Sequence, residues 1–268
     1  MTMESLIKRA AQDLVNSQYA IALTGAGIST ESGIADFRGP GGIWTKDPEA
    51  EKRAYQTYHT FLENPKDYWI SRLTQPSLIG NLESAQPNPG HQALVELENM
   101  GILKCVITQN IDGLHEKAGS QRLLEYHGSA FKLRCPACGT RFKRDEYDLD
   151  RLLAENQLPP RCQKCNGTIK SDVVHFHEPI PPDVAQKSMD EAWMCDAMLI
   201  CGTSAVVYPF AQLPRIARQH REVQNTTIME VNAEATPLTT GGISDYFIQG
   251  KTADILPRIV TEAKALRK

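Results

Sequence analysis

The chain has 268 residues, of which 41% are hydrophobic and 23% are charged, and its formal net charge is −3. These values are typical of one large globular domain, or of a large domain with a smaller insert. The slight acidity gives no reason to expect direct nucleic-acid binding, and no apolar run approaches the length that spans a bilayer. Seven cysteines without a recognisable secretory signal favour a reducing compartment, so we expect a cytoplasmic protein that does not bind membranes.

The first elements predict the phosphate-binding half of a dinucleotide site. An amphipathic helix within residues 1–16 precedes a short apolar run, Tyr19 to Leu23, of the composition of a buried parallel strand. The run ends at Gly25-Ala26-Gly27, where glycine permits a tight turn and the close approach of a phosphate. The hydroxyls of Ser29 and Thr30 then follow as candidate N-caps of a helix. The signal is weak by itself, because Thr30 occupies the place of the third glycine in the usual G-x-G-x-x-G pattern.

A second group of residues follows this turn. Asp36-Phe37-Arg38 places an acid, an aromatic ring and a fixed cation beside the predicted phosphate site. The next four residues, Gly39 to Gly42, are three glycines and a proline, and they predict a loop that can close over a ligand.

The remainder of the chain alternates strand-like and helix-like segments, which predicts an α/β fold. Further strands are expected at residues 104–108, 123–126, 197–201, 227–231 and 246–249, and helices at residues 91–99, 182–194 and 210–220. The pattern is that of a Rossmann-like, doubly wound parallel sheet.

Two segments interrupt this alternation. Residues 45–85 are polar and helical, with several aromatic side chains that form either a lid or simply a satellite core. Residues 129–170 contain two cysteine pairs in a basic, polar context. We therefore assign residues 1–44, 86–128 and 171–268 to the large domain, and the helical and cysteine-containing inserts to a small one.

The cysteine pairs carry a specific signal for a metal. Cys135 and Cys138 form one C-x-x-C pair, and Cys162 and Cys165 form the other. Each pair places two thiolates on one tight turn, and two such turns complete a tetrahedral cage. Because four protein ligands leave no open position, we expect a structural ion, with zinc favoured over a rubredoxin-like iron and over disulfides. The other cysteines, Cys105, Cys195 and Cys201, lie in or beside apolar runs and are interpreted as core thiols.

Polar residues follow several of the predicted strands, at the edge where open α/β sheets bind ligands. Gln109-Asn110-Ile111-Asp112 follows one strand, and His127 ends the next. Imidazole is the side chain most readily available as a base near neutral pH. Asn110 and Asp112 suit the binding of a carboxamide or of ribose hydroxyls, although Asx turns explain them equally simply. Asn232 and Glu234 lie where an adenosine ribose is expected, and a plain turn is again the alternative.

Taken together, these motifs resemble those of the sirtuins, which are NAD-dependent protein-lysine deacylases. The matching stretches follow the family's order over about residues 20 to 235: Gly25-Ala26-Gly27-Ile28-Ser29, Asp36-Phe37-Arg38-Gly39, Thr108-Gln109-Asn110-Ile111-Asp112, His127-Gly128, the two cysteine pairs, Gly202-Thr203-Ser204 and Val231-Asn232. Thr252, ahead of the last helix, resembles the family's final cofactor contact more loosely.

The resemblance implies a mechanism in which NAD is consumed as a co-substrate and one zinc ion is structural. NAD and an acyl-lysine peptide enter the cleft between the domains, with the glycine turn, Arg38 and Ser204 near the pyrophosphate. Asn110 and Asp112 hold the nicotinamide ribose and carboxamide. After the acyl oxygen attacks the ribose carbon, His127 accepts a proton from the ribose hydroxyl that attacks the adduct. The products are free lysine, nicotinamide and an O-acyl-ADP-ribose, most simply the acetyl ester.

The resemblance also implies that Val174, Phe176, His177 and Glu178 bind the peptide. Two departures from the family pattern concern this function. His177 stands where the family has glycine in V-x-F-G-E, and if the segment is a strand, His175 and His177 share a face opposite Phe176. We expect His177 to point to solvent, with lining of the substrate channel as the alternative. Tyr68 and Arg72 are one residue too far apart for the Tyr-x-x-Arg pair of desuccinylating members, so the acyl preference stays open.

Three alternatives to deacylation remain at this point. A mono-ADP-ribosyltransferase would use the same cleavage of NAD, and the mass of a labelled product separates the two reactions. A non-catalytic NAD sensor is disfavoured because binding does not require a base such as His127. A hydride-transferring Rossmann enzyme is the weakest alternative, because it leaves the cysteine insert and the Gln109–Asp112 stretch without a role. The oligomeric state is not predicted.

Overall fold

Six parallel strands form the main sheet in the computed structural model, which describes residues 1–39, 41–76, 79–219 and 226–267. The strand order is β3-β2-β1-β7-β8-β9, so the sheet is doubly wound and begins in the middle, as predicted. These strands are β1 (Ala20–Thr24), β2 (Leu103–Thr108), β3 (Leu123–Glu125), β7 (Ala197–Cys201), β8 (Thr227–Asn232) and β9 (Tyr246–Gln249).

Helices cover both faces of this sheet, because successive side chains along each buried strand point to opposite faces. In β1, Ala20 and Ala22 belong to one hydrophobic core, whereas Ile21 and Leu23 belong to the other. The first core includes residues of α1 (Met3–Asn16), α5 (Pro89–Asn99) and α11 (Thr252–Leu266). The second includes residues of α8 (Pro182–Met194) and α9 (Leu213–Gln219).

The remaining helices are short or lie in the inserts. They are α2 (Ile43–Lys46), α3 (Pro48–Glu63), α4 (Pro65–Thr74), α6 (Leu114–Ala118), α7 (Leu149–Ala154) and α10 (Pro237–Thr240). No helix within the described ranges is long and apolar enough to cross a membrane.

The two inserts share one small core. A three-stranded antiparallel sheet, with the order β5-β4-β6, consists of β4 (Lys132–Arg134), β5 (Arg141–Lys143) and β6 (Lys170–Ser171). Phe61, Tyr68 and Trp69 from the helical insert pack with buried apolar residues of the cysteine insert. The Trp69 indole donates a 2.8 Å hydrogen bond to the main-chain oxygen of Ile169. These three rings therefore form part of a satellite core, which was one of the two interpretations of the aromatic side chains. The exact domain boundaries stay a prediction.

Two of the predicted helices differ from the structure. The segment after the glycine turn is a 3₁₀ helix, Ala26–Ser32, in place of an ordinary α-helix. The single helix expected at residues 210–220 is a 3₁₀ turn, Phe210–Gln212, that continues into α9, and residue 220 lies outside the described ranges. Pro40 of the predicted Gly39–Gly42 loop also lies outside them.

Candidate active site

The carboxyl ends of β1, β2, β7 and β8 open into one cavity of about 1390 Å³. Parallel strands end at the same edge of a sheet, so residues far apart in the chain meet there. Of the residues predicted to bind cofactor or substrate or to act in catalysis, only Gly25 is absent from the lining. The cavity is lined by Ala26, Gly27, Ser29, Asp36, Phe37, Arg38, Gln109, Asn110, Ile111, Asp112, His127, Val174, Phe176, His177, Glu178, Gly202, Thr203, Ser204, Asn232, Glu234 and Thr252.

The glycine turn is determined by close contact with the neighbouring strand end. The Gly27 amide donates a 2.8 Å hydrogen bond to the Gly202 oxygen, and a β-carbon on Gly27 would lie 2.8 Å from that same oxygen. A side chain at Gly27 would therefore force the two segments apart. The predicted N-cap role of Ser29 and Thr30 is wrong, because Gly25 is the cap and no side chain bonds to the exposed amides.

Ser29 instead joins a buried polar network. Its hydroxyl donates to Asp112 Oδ2 at 2.7 Å and accepts from Asn110 Nδ2 at 3.0 Å. Asp112 Oδ1 also accepts from the Leu114 amide at 2.9 Å, which is the Asx turn that was the alternative interpretation of this residue. Burial raises the pKa of the Asp112 carboxyl, and the bond from Ser29 opposes that effect. The network holds Asn110 and Asp112 in place before any ligand binds.

His127 follows the last residue of β3 by two positions, and one of its ring nitrogens has a hydrogen-bond partner. Its Nδ1 lies 3.2 Å from the main-chain oxygen of Gln109. Burial lowers the pKa of the imidazole to about 4, so the ring is neutral at pH 7. The Gln109 side chain in turn donates to Thr203 Oγ1 at 2.7 Å. A neutral imidazole facing the cavity is able to accept a proton.

The segment Val174–Glu178 is a turn and not an alternating strand, so the predicted sharing of one face by His175 and His177 is wrong. The Glu178 amide donates to the His175 oxygen at 3.1 Å, which closes the turn. His175 is directed inward, with its Nε2 3.0 Å from the Tyr68 hydroxyl. Phe176 stacks on Tyr55 of α3 with ring centroids 4.3 Å apart.

His177 has a backbone φ of +67°, a left-handed conformation that favours glycine. The residue is exposed to solvent, as expected, and it also lines the cavity, which was the alternative. Its ring lies 5.5 Å from that of Tyr55. Sequence reasoning missed the contact with Tyr55, because the two residues meet only through the packing of α3 against this turn.

Residues at and after the ends of β7 and β8 form another part of the cavity wall. Asn232 Nδ2 donates to the main-chain oxygen of Thr203 at 3.2 Å, whereas Ser204 and Glu234 are exposed. Thr252, at the first turn of α11, has a buried hydroxyl without a hydrogen-bond partner in the described part of the chain. A buried, unpaired hydroxyl in a cavity wall is a position where a ligand can complete the bonding.

The loop of Asp36 and Arg38 covers one side of the cavity. Asp36 Oδ1 accepts from the Gly39 amide at 3.1 Å. Arg38 forms a 3.3 Å ion pair with Glu51 and places its guanidinium 4.4 Å from the centre of the Trp44 ring. Trp44 is a further lining residue that the sequence did not indicate, because nothing in its local pattern distinguishes it from a core aromatic.

The four paired cysteines come together as predicted. Their sulfur atoms all lie within 4.8 Å of one another, with Cys135 3.5 Å from Cys165 and Cys138 3.7 Å from Cys162. Tetrahedral zinc with bonds of about 2.3 Å requires sulfur–sulfur separations of about 3.8 Å. The site therefore fits a zinc ion. The other three cysteines are buried, as expected of core thiols.

Comparison with known proteins places the chain among related enzymes. Residues 25–209 match the model of the Sir2 family. The chain is 43% identical over 267 residues to the NAD-dependent protein deacylase 2 of Archaeoglobus fulgidus, covering 99% of both chains. A solved Sir2 homologue–NAD complex has a TM-score of 0.76 and 36% identity, covering 99% of this chain and 95% of the other. A structure of Sir2Af2 bound to a myristoylated histone peptide has a TM-score of 0.66 and 37% identity, covering 98% of both chains.

Proposed function

Because this chain belongs to the Sir2 family, we propose that it is an NAD-dependent protein-lysine deacylase. It removes an acyl group, most simply acetyl, from a protein lysine and releases nicotinamide and an O-acyl-ADP-ribose. The family relatives named as deacylases and the complexes with NAD and with an acylated histone peptide support this proposal. Acyl-lysine proteins or peptides are the corresponding partners, and a cytoplasmic location remains a prediction.

One observation carries the proposal at the level of chemistry. A neutral imidazole, His127, lies in the same cavity as the polar pair Asn110 and Asp112 and the glycine turn at Gly27. A site that only binds NAD has no need of a base, whereas deacylation requires one to remove a proton from a ribose hydroxyl. The combination supports an enzyme over a sensor.

The roles follow from position in the cavity. The Ala26 amide of the glycine turn, together with Arg38, binds the pyrophosphate, because an amide and a guanidinium both suit an anion. Asn110 and Asp112, held by Ser29, bind the nicotinamide ribose and carboxamide. As the carbon–nitrogen bond to nicotinamide breaks, the acyl oxygen bonds to the ribose carbon.

His127 Nε2 then accepts the proton of the ribose hydroxyl that attacks the bound acyl carbon. The bond from the acyl carbon to the lysine nitrogen then breaks, and the amine leaves with that proton. Water adds to the acyl carbon, which is now bonded to two ribose oxygens, and cleavage of its bond to the C1′ oxygen gives O-acyl-ADP-ribose. The turn Val174–Glu178 lies along the cavity wall, and this position supports a role in binding the peptide main chain, a form of recognition in which backbone hydrogen bonds supply affinity.

Zinc has a structural part in this proposal. Cys135, Cys138, Cys162 and Cys165 would hold one ion, and four sulfur ligands leave no position for substrate. Bound zinc supplies no chemistry to the reaction. The cysteines instead join the two turns that carry them, beneath the core shared with Trp69.

The test is turnover of a panel of acyl-lysine peptides with NAD, followed by mass spectrometry of the peptide and of the nucleotide product. We expect the peptide to lose the mass of its acyl group and the nucleotide to appear as acyl-ADP-ribose. A peptide that instead gains ADP-ribose indicates a transferase, and unchanged peptide with intact NAD contradicts the proposal.

A further inference from the structure

Glu230 is a fully buried carboxylate on β8, and four side-chain donors surround it. Its Oε2 atom accepts from the Thr236 hydroxyl at 2.6 Å and from Asn232 Nδ2 at 3.2 Å. Its Oε1 atom accepts from the Thr239 hydroxyl at 2.7 Å and from the Ser244 hydroxyl. A buried carboxylate needs such donors, because it only accepts hydrogen bonds when ionised.

These bonds determine the orientation of the Asn232 amide. Its nitrogen lies between the Glu230 carboxylate and the main-chain oxygen of Thr203, both of which only accept. The nitrogen must therefore face these two atoms, and the amide oxygen is turned away from them. That oxygen has no partner among the residues that the structure describes, and Asn232 lines the cavity. The side chain thus presents an acceptor to a ligand.

The same carboxylate shapes the adjoining wall. Thr236, whose hydroxyl donates to Glu230, also caps α10 by accepting from the Leu238 amide at 3.1 Å. The segment from Asn232 to Pro237 lines the cavity throughout. One buried side chain, Glu230, therefore accepts hydrogen bonds from near both ends of this segment.

We propose that Glu230 is a positioning residue that sets selectivity for NAD over NADP, an inference that rests on the proposed function. By holding the nitrogen of Asn232, it presents the amide oxygen to the 2′ position of the adenosine ribose. An amide oxygen accepts a hydrogen bond from a 2′-hydroxyl, but it offers nothing to a 2′-phosphate, which is itself an acceptor.

The first experiment compares kcat/KM for NAD and NADP in wild type and in Glu230→Ala. Without the carboxylate the amide can rotate and present its nitrogen, which suits a phosphate. We expect the NAD-to-NADP ratio of kcat/KM to fall at least tenfold. The ratio is measured on one preparation, so a smaller folded fraction does not change it. An unchanged ratio in Glu230→Ala means that Glu230 only supports the fold, and it overturns the proposal.

Two matched variants separate the positioning of the Asn232 amide from the stability of the fold. Ser244→Ala removes a donor from the other carboxylate oxygen and leaves the Asn232 bond, so the ratio should stay within threefold of wild type. Glu230→Gln keeps an oxygen for Asn232, because the hydroxyls of Thr239 and Ser244 can accept from the new amide. The NAD-to-NADP ratio of Glu230→Gln should likewise stay within threefold of wild type. A ratio as low as that of Glu230→Ala would contradict the positioning role.

A measurement on the wild-type protein does not depend on the folding of any variant. An NAD analogue that lacks the adenosine 2′-hydroxyl should show a KM raised about tenfold with kcat unchanged. Equal KM values for the analogue and NAD would show that the predicted contact with the 2′-hydroxyl does not form, and would overturn the proposal. Wild-type turnover with NAD itself tests the proposed function separately.

Discussion

The Nδ1 atom of His127 lies 3.2 Å from the main-chain oxygen of Gln109. A carbonyl oxygen only accepts, so Nδ1 carries the proton in the neutral ring, and Nε2 carries the lone pair. The lowered pKa of the imidazole keeps the ring neutral at pH 7. The imidazole of the proposed base is therefore oriented by a residue 18 positions away in the sequence.

The first prediction concerns this base. His127→Ala should abolish deacylation and leave the affinity for NAD nearly unchanged, because the imidazole acts on a hydroxyl and not on the binding of the dinucleotide. Single-turnover rates and calorimetric titration with NAD measure the two effects. Activity within about tenfold of wild type, roughly 1.4 kcal/mol in barrier, would exclude His127 from the mechanism.

The second prediction concerns the link between Asn110 and Asp112. Ser29→Ala removes a hydrogen bond to a buried carboxylate, which is worth about 1.5–3 kcal/mol, so kcat/KM should fall roughly tenfold to a hundredfold. Thr30→Ala is the control, because its hydroxyl donates only to the Gly27 oxygen on the same 3₁₀ helix. Equal activities of the two variants would show that the Ser29 network has no part in catalysis.

The third prediction concerns the cysteine site. Cys135→Ala should release the metal and unfold the insert, because a structural zinc contributes on the order of 10 kcal/mol. Metal analysis gives the zinc content, and Trp69 fluorescence reports on the shared core. Cys105→Ala is the control, since that thiol is buried on β2 and is not a ligand. A metal-free protein with full activity would be incompatible with this assignment.

The fourth prediction concerns the backbone at His177. His177→Gly relieves a left-handed conformation that costs a side-chain-bearing residue about 1 kcal/mol, so the variant should be slightly more stable. Turnover of a simple acetyl-lysine peptide should stay within about tenfold, again roughly 1.4 kcal/mol, while peptide preference shifts. His177→Asn is the matched control, because asparagine tolerates this conformation without an imidazole. Collapsed turnover with normal NAD binding would instead make His177 essential to the substrate site.

The fifth prediction concerns pH. His91 and His115 are buried with rings 4.8 Å apart, and burial lowers the pKa of His91 to about 4 and that of His115 well below 6.5. The unfolded state binds more protons below pH 6.5, so stability is complete above that pH and falls as the pH drops toward 4. Each histidine contributes at most about 1.4 kcal/mol per pH unit.

Urea unfolding between pH 7.5 and 4.5 measures this slope. His91→Gln should reduce it by about one proton, whereas His59→Gln, at an exposed position of α3, should not. An identical slope in wild type and His91→Gln would show that this buried pair does not control acid stability.

The local sequence pattern was sufficient to predict many of the strands and helices and the cysteine site. Strand β7 and helix α8 have the predicted bounds, because an apolar run and a helical period are properties of consecutive residues. The cysteine site was equally predictable, since each C-x-x-C pair places two ligands on one turn whatever the surrounding fold. The gathering of Gln109, His127 and Asn232 at one edge followed from the parallel direction of the strands.

The tertiary structure alone decided which groups bond to one another. Ser29 and Asp112 are 83 residues apart, and nothing in either local pattern pairs them. The turn at His177 likewise packs against Tyr55, which belongs to the helical insert, and the alternating strand was the wrong expectation. Periodicity and ligand spacing act over a few neighbouring residues. The partner of a buried polar group depends on strand order and on the packing of helices, which bring distant segments within hydrogen-bond distance.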